Sequence, residues 1–320
     1  MWWTDVVTHA QTDGMLMHPG QLTLTPAEVA ALVAHQFPAW GALSVTAVTS
    51  SGTATALFRL GDELVARFPL LPGEGVAVRC ALQSEGDAGA RLSSVATCPV
   101  SELVALGEPG PGYPQAWAVH RWLPGTVALD ADVAGSVDFA HDVARFVAAL
   151  RRLPTDGATF AGPGRGGDLR QHDGGVEHSL GRSTGLVDTA AVAALWAALR
   201  TTPRAGFNAW THNDLMPGNL LVDEAGHLAA VIDVGQAQVA DPAVDLQPAW
   251  NLFTPVARAA FRSALQVEDD AWDRGRAWAL VQALGCLWYY RETNPTMSAL
   301  ASHTLDALLQ DASRPSPWRG

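Results

Sequence analysis

The stretch from Thr211 to Gly235, THNDLMPGNLLVDEAGHLAAVIDVG, carries polar residues at a spacing that has chemical meaning. His212 stands two positions before Asp214, and Asn219 stands five positions after it. Asp233 then begins an Asp-x-Gly triplet at the end of the stretch. Turns and helix caps also use such residues, but all of these elements in this order predict a catalytic loop.

Two short apolar runs follow Asn219 in the same stretch. They cover residues 220–222 and 228–232, and the polar segment 223–226 separates them. A strand, a turn and a returning strand are the expected result. Such a hairpin would bring Asn219 and Asp233 to the same end of the pair of strands.

Phosphoryl transfer explains why these residue types are needed. A hydroxyl that attacks a phosphate requires a carboxylate to orient it and to accept its proton, and Asp214 is placed for that role. The phosphates of a nucleotide arrive with Mg2+, a hard ion that prefers oxygen ligands, and Asn219 and Asp233 offer such oxygens. His212 is the second catalytic candidate, as a brace that holds the loop by hydrogen bonding.

The segments HNDLMPGNLLV, VIDVG and DPAVDL resemble the aminoglycoside phosphotransferase family, whose relatives phosphorylate macrolides and other small hydroxylated molecules. Members usually show H-G-D followed by H-P-G-N. In this chain Asn213 replaces the glycine and Met216 replaces the second histidine, while the two aspartates and the asparagine are retained. The resemblance covers most of the chain.

The resemblance implies an α+β fold of the protein-kinase type with two lobes. The N-terminal, nucleotide-binding lobe is expected over residues 1–122, with an antiparallel sheet and one key helix. The C-terminal lobe, over residues 123–320, is expected to be mostly helical and to hold the catalytic and substrate-binding groups. A hinge near residues 121–125 would join the two, with the active site between them.

Local patterns agree with that fold. Thr25 and Glu28 form a capping box with Pro26 at the first helical position, which predicts a helix to about His35. Strands are predicted over residues 45–49, 55–60 and 63–68. Further helices are predicted over residues 135–152, 250–253, 257–265 and 271–291.

The expected nucleotide contacts begin in the loop between the first two strands. A kinase-like fold covers the phosphates there with backbone N–H groups and hydroxyls, which Ser51, Gly52 and Thr53 can supply. Relatives often carry asparagine near position 55, where this chain has Thr55. The hinge residues whose backbone would meet the adenine are Arg121, Trp122 and Leu123.

All 20 basic residues are arginine, and the chain contains no lysine. A kinase-like fold normally holds the nucleotide phosphates with a strand lysine, so an arginine must take that place. Arg67 on the third predicted strand is the candidate, with Glu85 in the helical segment that follows as its ion-pair partner. The alternative is that both are surface charges, since Gly86 and Gly89 weaken that helix.

The glycine-rich segment, residues 155–185, lacks periodicity and is predicted to be a loop or a partly ordered lid. The family has an Arg-Gly-rich stretch in this place. Arg165, Gly166 and Gly167 would therefore be ordered against the catalytic lobe, or they would belong to a mobile connection. The resemblance also gives Asp245 a structural role, in which it braces the catalytic loop.

Composition restricts the partners and the compartment. The net charge of −12 disfavours binding to nucleic acid or to an anionic membrane, whereas it would attract a cationic ligand. Cys80, Cys98 and Cys286 are odd in number and far apart, which argues against a disulfide framework and fits a reducing cytoplasm. No export signal or membrane-spanning run is visible.

These observations predict a kinase that transfers the γ-phosphoryl group of ATP or GTP, with Mg2+, to a hydroxyl of a small substrate, and the net charge favours a cationic one. Inactivation of an aminoglycoside antibiotic is the leading interpretation. The same chemistry on a macrolide, another antibiotic or a small metabolite is the alternative. A nucleotide-binding pseudokinase, suggested by the missing lysine, and metal-dependent hydrolysis are further alternatives.

Overall fold

The computed structural model describes residues 16–160, 162, 164–204 and 206–312. These residues form two compact units. The first contains the described residues up to Leu82 together with Val104–Trp122, and the second contains Gln83–Leu103 and the described residues from Leu123 onward. Residues 83–103, which the sequence assigns to the N-terminal lobe, thus group with the second unit.

The helices and strands have the following bounds. The helices are α1 (Pro26–Gln36), α2 (Gly75–Ser93), α3 (Val137–Leu150), α4 (Asp173–Arg182), α5 (Thr189–Leu199), α6 (Pro248–Asn251), α7 (Pro255–Leu265), α8 (Asp269–Tyr289) and α9 (Pro295–Ala312). The strands are β1 (Val45–Val48), β2 (Thr55–Leu60), β3 (Leu64–Pro69), β4 (Leu103–Gly107), β5 (Trp117–Arg121), β6 (Thr126–Val127), β7 (Ala209–Thr211), β8 (Leu220–Val222), β9 (Leu228–Val231) and β10 (Gln238–Ala240). None of these helices is long and apolar enough to cross a membrane.

The first unit is organised around a sheet with the strand order β1-β2-β3-β5-β4. Neighbouring strands from β1 to β5 in that order pair antiparallel. α1 contributes Val29, Leu32 and Val33 to the core of this unit. The same core contains Phe68 and Trp117, whose rings stack with their centroids 4.9 Å apart.

The predicted bounds of α1 and of the strands β1, β2 and β3 are confirmed to within about one residue. α1 begins at Pro26 because the Thr25 hydroxyl accepts the N–H of Glu28, while the Glu28 carboxylate accepts the N–H of Thr25. An antiparallel sheet in the N-terminal part and a helical C-terminal part together confirm the predicted protein-kinase-like α+β fold.

The second unit is mostly helical, and its short strands carry the catalytic loop. β8 and β9 form the predicted hairpin, with Leu220 opposite Val231, and β6 pairs with β8 as a third strand. β7, which precedes the loop, pairs with β10. Phe139 on α3, Trp250 on α6 and Trp278 on α8 are completely buried in the core of this unit.

Of the two predictions for residues 155–185, a loop or a partly ordered lid, the loop is wrong for the second half, which contains α4. Glycines such as Gly174 give this helix a low intrinsic propensity. Long-range contacts compensate, because the Asp173 carboxylate accepts from Trp196 Nε1 at 2.9 Å and from Arg200 Nε at 2.7 Å. Helix propensity alone therefore does not predict α4.

Candidate active site

The catalytic loop follows β7, and a buried carboxylate holds its backbone. Asp245 is 1% exposed and accepts the N–H of His212 at 2.9 Å and that of Asn213 at 2.8 Å. Burial raises the pKa of Asp245, while the hydrogen bonds from those two backbone N–H groups and the charge of Arg151 act in the opposite direction. These contacts agree with the bracing role that the family resemblance implies for Asp245.

Asn213 explains how the chain departs from the usual family motif. Its φ is +67°, a left-handed conformation that glycine adopts freely and that asparagine tolerates better than most residues. Asparagine can therefore replace the usual glycine at this point. Its side-chain Nδ2 also donates to the carbonyl of Arg165 at 3.2 Å, which ties the loop to the glycine-rich segment.

His212 is fully buried and contacts the backbone through both ring nitrogens. Its Nε2 lies 3.0 Å from the carbonyl of Ile232 and must donate, since a carbonyl only accepts. Its Nδ1 accepts the N–H of Asp214 at 3.3 Å. This arrangement matches the bracing role predicted for His212 and leaves neither nitrogen directed at a substrate.

Asp214 differs from its neighbours because its side chain is partly exposed, at 24%. Its Oδ1 accepts from Gln282 Nε2 at 2.7 Å and from Arg165 Nη2 at 3.0 Å. Its Oδ2 has a longer contact of 3.3 Å with Asn219 Nδ2. The carboxylate is therefore held at one oxygen and open to a ligand at the other.

Asn219 and Asp233 lie at the same end of the β8–β9 hairpin, as predicted. The N–H of Ile232 donates to the carbonyl of Asn219 at 2.9 Å, and Asp233 follows directly. Asn219 Nδ2 donates to the carbonyl of Asp214 at 2.8 Å, so the amide oxygen of Asn219 is the end left to bind a cation. Asp233 sits in the left-handed region, with φ 60° and ψ 62°.

This donor set fits Mg2+. One carboxylate and one amide oxygen suit a hard ion that keeps several water molecules and takes phosphate oxygens as further ligands. Within residues 16–160, 162, 164–204 and 206–312, no group of three or more His, Cys, Asp or Glu side chains is arranged to hold a metal. The remaining ligands of a magnesium ion would therefore come from the nucleotide and from water.

Arg67 and Glu85 are not the surface charges that the alternative interpretation allows. Arg67 on β3 is 7% exposed, and Glu85 on α2 is 8% exposed. Within the second unit, Glu85 Oε2 lies 3.4 Å from the position that a Cβ on Gly235 would occupy, beside the Asp-x-Gly triplet. Gly86 packs so closely that a Cβ there would lie 2.4 Å from Leu103 Cδ2. The glycines that weaken α2 thus allow close packing.

The other nucleotide-binding candidates lie on loops and strand ends. Ser51, Gly52 and Thr53 connect β1 to β2, and Thr53 accepts a hydrogen bond at its carbonyl from His18 Nε2 at 2.7 Å. Arg121 is the last residue of β5, and the next two residues are Trp122 in the first unit and Leu123 in the second. The N–H of Trp122 already donates to the carbonyl of Glu63 at 2.7 Å.

Two contacts of Asp214 were not predicted from the sequence. The sequence marks Arg165 only as part of the glycine-rich segment, and no motif contains Gln282. The available signal for Gln282 was its polarity inside the apolar run ALVQALGCL of α8. A polar residue in such a run needs a hydrogen-bond partner when it is buried, and here that partner is Asp214.

The fold and the motifs of the loop define a phosphotransferase of the protein-kinase type. The chain belongs to the phosphotransferase enzyme family, whose model matches residues 45–278. The family resemblance described from the sequence is thereby confirmed.

The individual proteins that the chain resembles either match a short segment of it or share low sequence identity with it. A 77-residue segment is 35% identical to the protein YcbJ of Bacillus subtilis (strain 168), and this match covers 24% of each chain, so it spans about a quarter of YcbJ. An aminoglycoside phosphotransferase, solved as its GDP and kanamycin complex, has a TM-score of 0.65 and 16% identity, over 89% of this chain and 98% of that one. Macrolide 2'-phosphotransferase type I has a TM-score of 0.60 and 17% identity, over 88% and 98% of the two chains.

Proposed function

We propose that this protein transfers the γ-phosphoryl group of ATP or GTP to a hydroxyl of a small molecule, with an aminoglycoside as the leading acceptor class. The observation that carries the proposal is the environment of Asp214. Its carboxylate is partly exposed and has strong donors on one oxygen only, close to the magnesium candidate Asn219. A purely structural aspartate resembles Asp245 instead, which is buried and bonded at both oxygens.

In the proposed reaction, Asp214 accepts a hydrogen bond from the acceptor hydroxyl and takes its proton as the oxygen attacks the γ-phosphorus. Asn219 and Asp233 would hold Mg2+, which would neutralise charge on the phosphates. His212 keeps the loop backbone in place through Ile232 and moves no proton in this scheme.

The nucleotide contacts are part of the proposal. They are assigned to Ser51, Gly52, Thr53, Arg67, Glu85, Arg121, Trp122 and Leu123. The strongest support is Arg67, a buried cation on a strand of a chain that contains no lysine. A guanidinium stays charged when buried and can contact two phosphate oxygens at once, so it suits the role.

The acceptor class rests on charge and on the similar structures. The net charge of −12 favours a cationic acceptor over an anionic one. One similar structure was solved with kanamycin, which supports an aminoglycoside. Another is a macrolide phosphotransferase, which makes a macrolide the second candidate.

A panel assay tests the proposal. The protein is incubated with Mg2+ and either ATP or GTP, in the presence of kanamycin, other aminoglycosides, a macrolide, or no acceptor. Phosphorylated acceptor is detected by mass spectrometry, and nucleoside diphosphate release is measured in parallel. Phosphorylation of an aminoglycoside supports the leading proposal, and phosphorylation of the macrolide alone supports the second candidate. Diphosphate release that needs no acceptor identifies a hydrolase, and nucleotide binding without turnover identifies a pseudokinase.

A further inference from the structure

Two side chains outside the predicted motifs contact the proposed base. We propose that Arg165 and Gln282 are positioning residues that fix Oδ1 of Asp214 and leave Oδ2 as the oxygen that receives the acceptor proton. The inference rests on the proposed function, in which Asp214 is the base. Beyond that function, it identifies Oδ2 as the atom of Asp214 that accepts the proton, and Arg165 and Gln282 as the side chains that leave this oxygen available.

The two oxygens of the Asp214 carboxylate have unequal partners. Oδ1 accepts from Gln282 at 2.7 Å and from the guanidinium of Arg165 at 3.0 Å. From the described part of the chain, Oδ2 receives one contact, at 3.3 Å from Asn219. Since a hydrogen bond to an ionised group shortens when it is strong, Oδ2 is the less occupied oxygen and retains the lone pair that can accept a hydroxyl proton.

Arg165 is attached to the catalytic loop at two points. Its Nη2 donates to the carbonyl of Asn213 at 2.8 Å as well as to Asp214, and its own carbonyl accepts from the Asn213 side chain at 3.2 Å. The Arg165 side chain is 19% exposed, so little of it is free to move into solvent. Its guanidinium is therefore fixed relative to the loop that it serves.

The backbone that carries Arg165 is fastened to α8. The carbonyl of Gly166 accepts the N–H of Asp241 at 2.9 Å, and the carbonyl of Gly167 accepts from Arg274 Nη2 at 3.0 Å. Gly166 has a φ of +125°, and a Cβ there would lie 2.6 Å from the Cβ of Ala240, so a larger residue does not fit. Arg274 belongs to α8, as does Gln282. Helix α8 thus carries Gln282 and also supplies one of the hydrogen bonds that hold the backbone next to Arg165.

Gln282 lies beside a small cavity next to the catalytic loop. It lines a cavity of about 10 Å3 together with Met216 and Asn251. A cavity of this volume has room for about one water molecule. Asn251 in turn donates to the carbonyl of Leu215 at 3.1 Å, so the backbone next to Asp214 is held from the same side.

The assigned step is balanced as follows. The acceptor O–H proton moves to Oδ2 of Asp214 while the acceptor oxygen uses a lone pair to form the new O–P bond. The bond from the γ-phosphorus to the bridging oxygen breaks, and its electron pair leaves on the nucleoside diphosphate. Oδ1 takes no part in the bond changes, because its two donors remain in place throughout.

Single-residue variants of the two positioning residues test the inference through kcat and KM. Gln282→Met keeps the side-chain length and removes the donor, and we expect a kcat loss of roughly 10- to 100-fold with the KM of both substrates nearly unchanged, as for one charge-assisted hydrogen bond. Arg165→Met should act in the same way, and Arg165→Lys should recover part of the loss. The matched controls are Gln83→Met and Arg170→Met, two exposed positions that should retain the parent kcat.

A crystal structure of the parent and of Gln282→Met provides a readout that does not need activity. The parent should show Gln282 and Arg165 on the same oxygen of Asp214, and the variant should show the carboxylate rotated or in two orientations. The inference is overturned if the parent structure shows Gln282 and Arg165 on different oxygens of Asp214. It is also overturned if the kcat of Gln282→Met equals that of the control variant. A parent that phosphorylates no acceptor contradicts the proposed function instead, and the crystallographic comparison then still decides the role of Gln282.

Discussion

The catalytic loop, residues 211–235, and the glycine-rich segment, residues 155–185, both contribute to the environment of Asp214, but their conformations have different origins. The β8–β9 hairpin of the loop is stabilised by contacts within the loop, as in the hydrogen bond from Ile232 to Asn219, while Asp245 holds the backbone of the first loop residues. The glycine-rich segment takes its conformation from distant partners, since Gly167 bonds to Arg274 and Arg165 bonds to Asp214. A sequence pattern can predict a structure that nearby residues stabilise, but it cannot predict one that depends on distant partners.

This difference separates the chemistry of the site from its orientation. The loop supplies groups that transfer a proton and bind a metal, and these are defined by residue type and spacing. The glycine-rich segment and α8 supply donors that orient those groups, and these are defined by tertiary contacts. Each variant described next changes either the chemical groups of the loop or the contacts that orient them.

The largest expected effect belongs to the loop. Asp214→Asn keeps the size of the side chain and removes the proton acceptor, so we expect kcat for acceptor phosphorylation to fall by roughly 10²- to 10⁴-fold, the usual contribution of a general base. The measurement is steady-state kinetics, with nucleotide binding followed separately to show that the variant is folded. A variant that turns over within a few-fold of the parent would remove Asp214 from the role of base.

The second prediction concerns the attachment of the glycine-rich segment. Arg274 is 4% exposed, and its guanidinium donates to the Asp241 carboxylate at 2.7 Å and to the carbonyl of Gly167 at 3.0 Å. Arg274→Met leaves the buried carboxylate of Asp241 without its cation. The free energy of unfolding should then fall by about 3–5 kcal/mol, as measured by urea denaturation.

The matched control for this prediction is Arg170→Met, in the same segment. Arg170 and its partner Asp168 form an ion pair at the surface, with side chains 63% and 41% exposed. Exposed pairs contribute about 0–1 kcal/mol, so this variant should be nearly as stable as the parent. Equal losses in the two variants would mean that the buried pair does not hold the segment.

Features encoded by neighbouring residues could be predicted from the sequence, whereas features that depend on tertiary contacts could not. The capping box of α1 and the β8–β9 hairpin are encoded by neighbouring residues, and both were predicted correctly. α5, with the sequence TAAVAALWAAL, has few polar residues to mark a face, and it was not predicted from the sequence. Gln282 lies 68 positions from Asp214, and no local pattern reports such a contact. The candidate chemistry was therefore predictable, whereas the donors that orient the base were not.

A smaller effect is expected at the magnesium candidates of the loop. Asp233→Asn removes an anionic ligand and tolerates the left-handed backbone at this position. The concentration of Mg2+ for half-maximal nucleotide use should rise by roughly tenfold or more, because charge count sets the affinity of such sites. Asn219→Ala removes a neutral ligand and should shift this concentration less. An unchanged Mg2+ titration in both variants would exclude the site.

The smallest expected effect lies at Asn213, where the two regions meet. The residue has a positive φ, which the loop requires, and a side chain that donates to the carbonyl of Arg165 in the glycine-rich segment. Asn213→Gly keeps the first property and loses the second, whereas Asn213→Ala loses both.

Comparing these two variants separates the contribution of the backbone from that of the contact. An alanine at a left-handed position costs about 1 kcal/mol more than a glycine, so Asn213→Ala should be the less stable of the two in urea denaturation. If the hydrogen bond to Arg165 also positions Asp214, Asn213→Gly should lower kcat by a few-fold with little change in stability. A glycine variant with the parent kcat would mean that the loop needs only the conformation of Asn213, and that the contact of Arg165 with the carbonyl of Asn213 is sufficient to join the two regions.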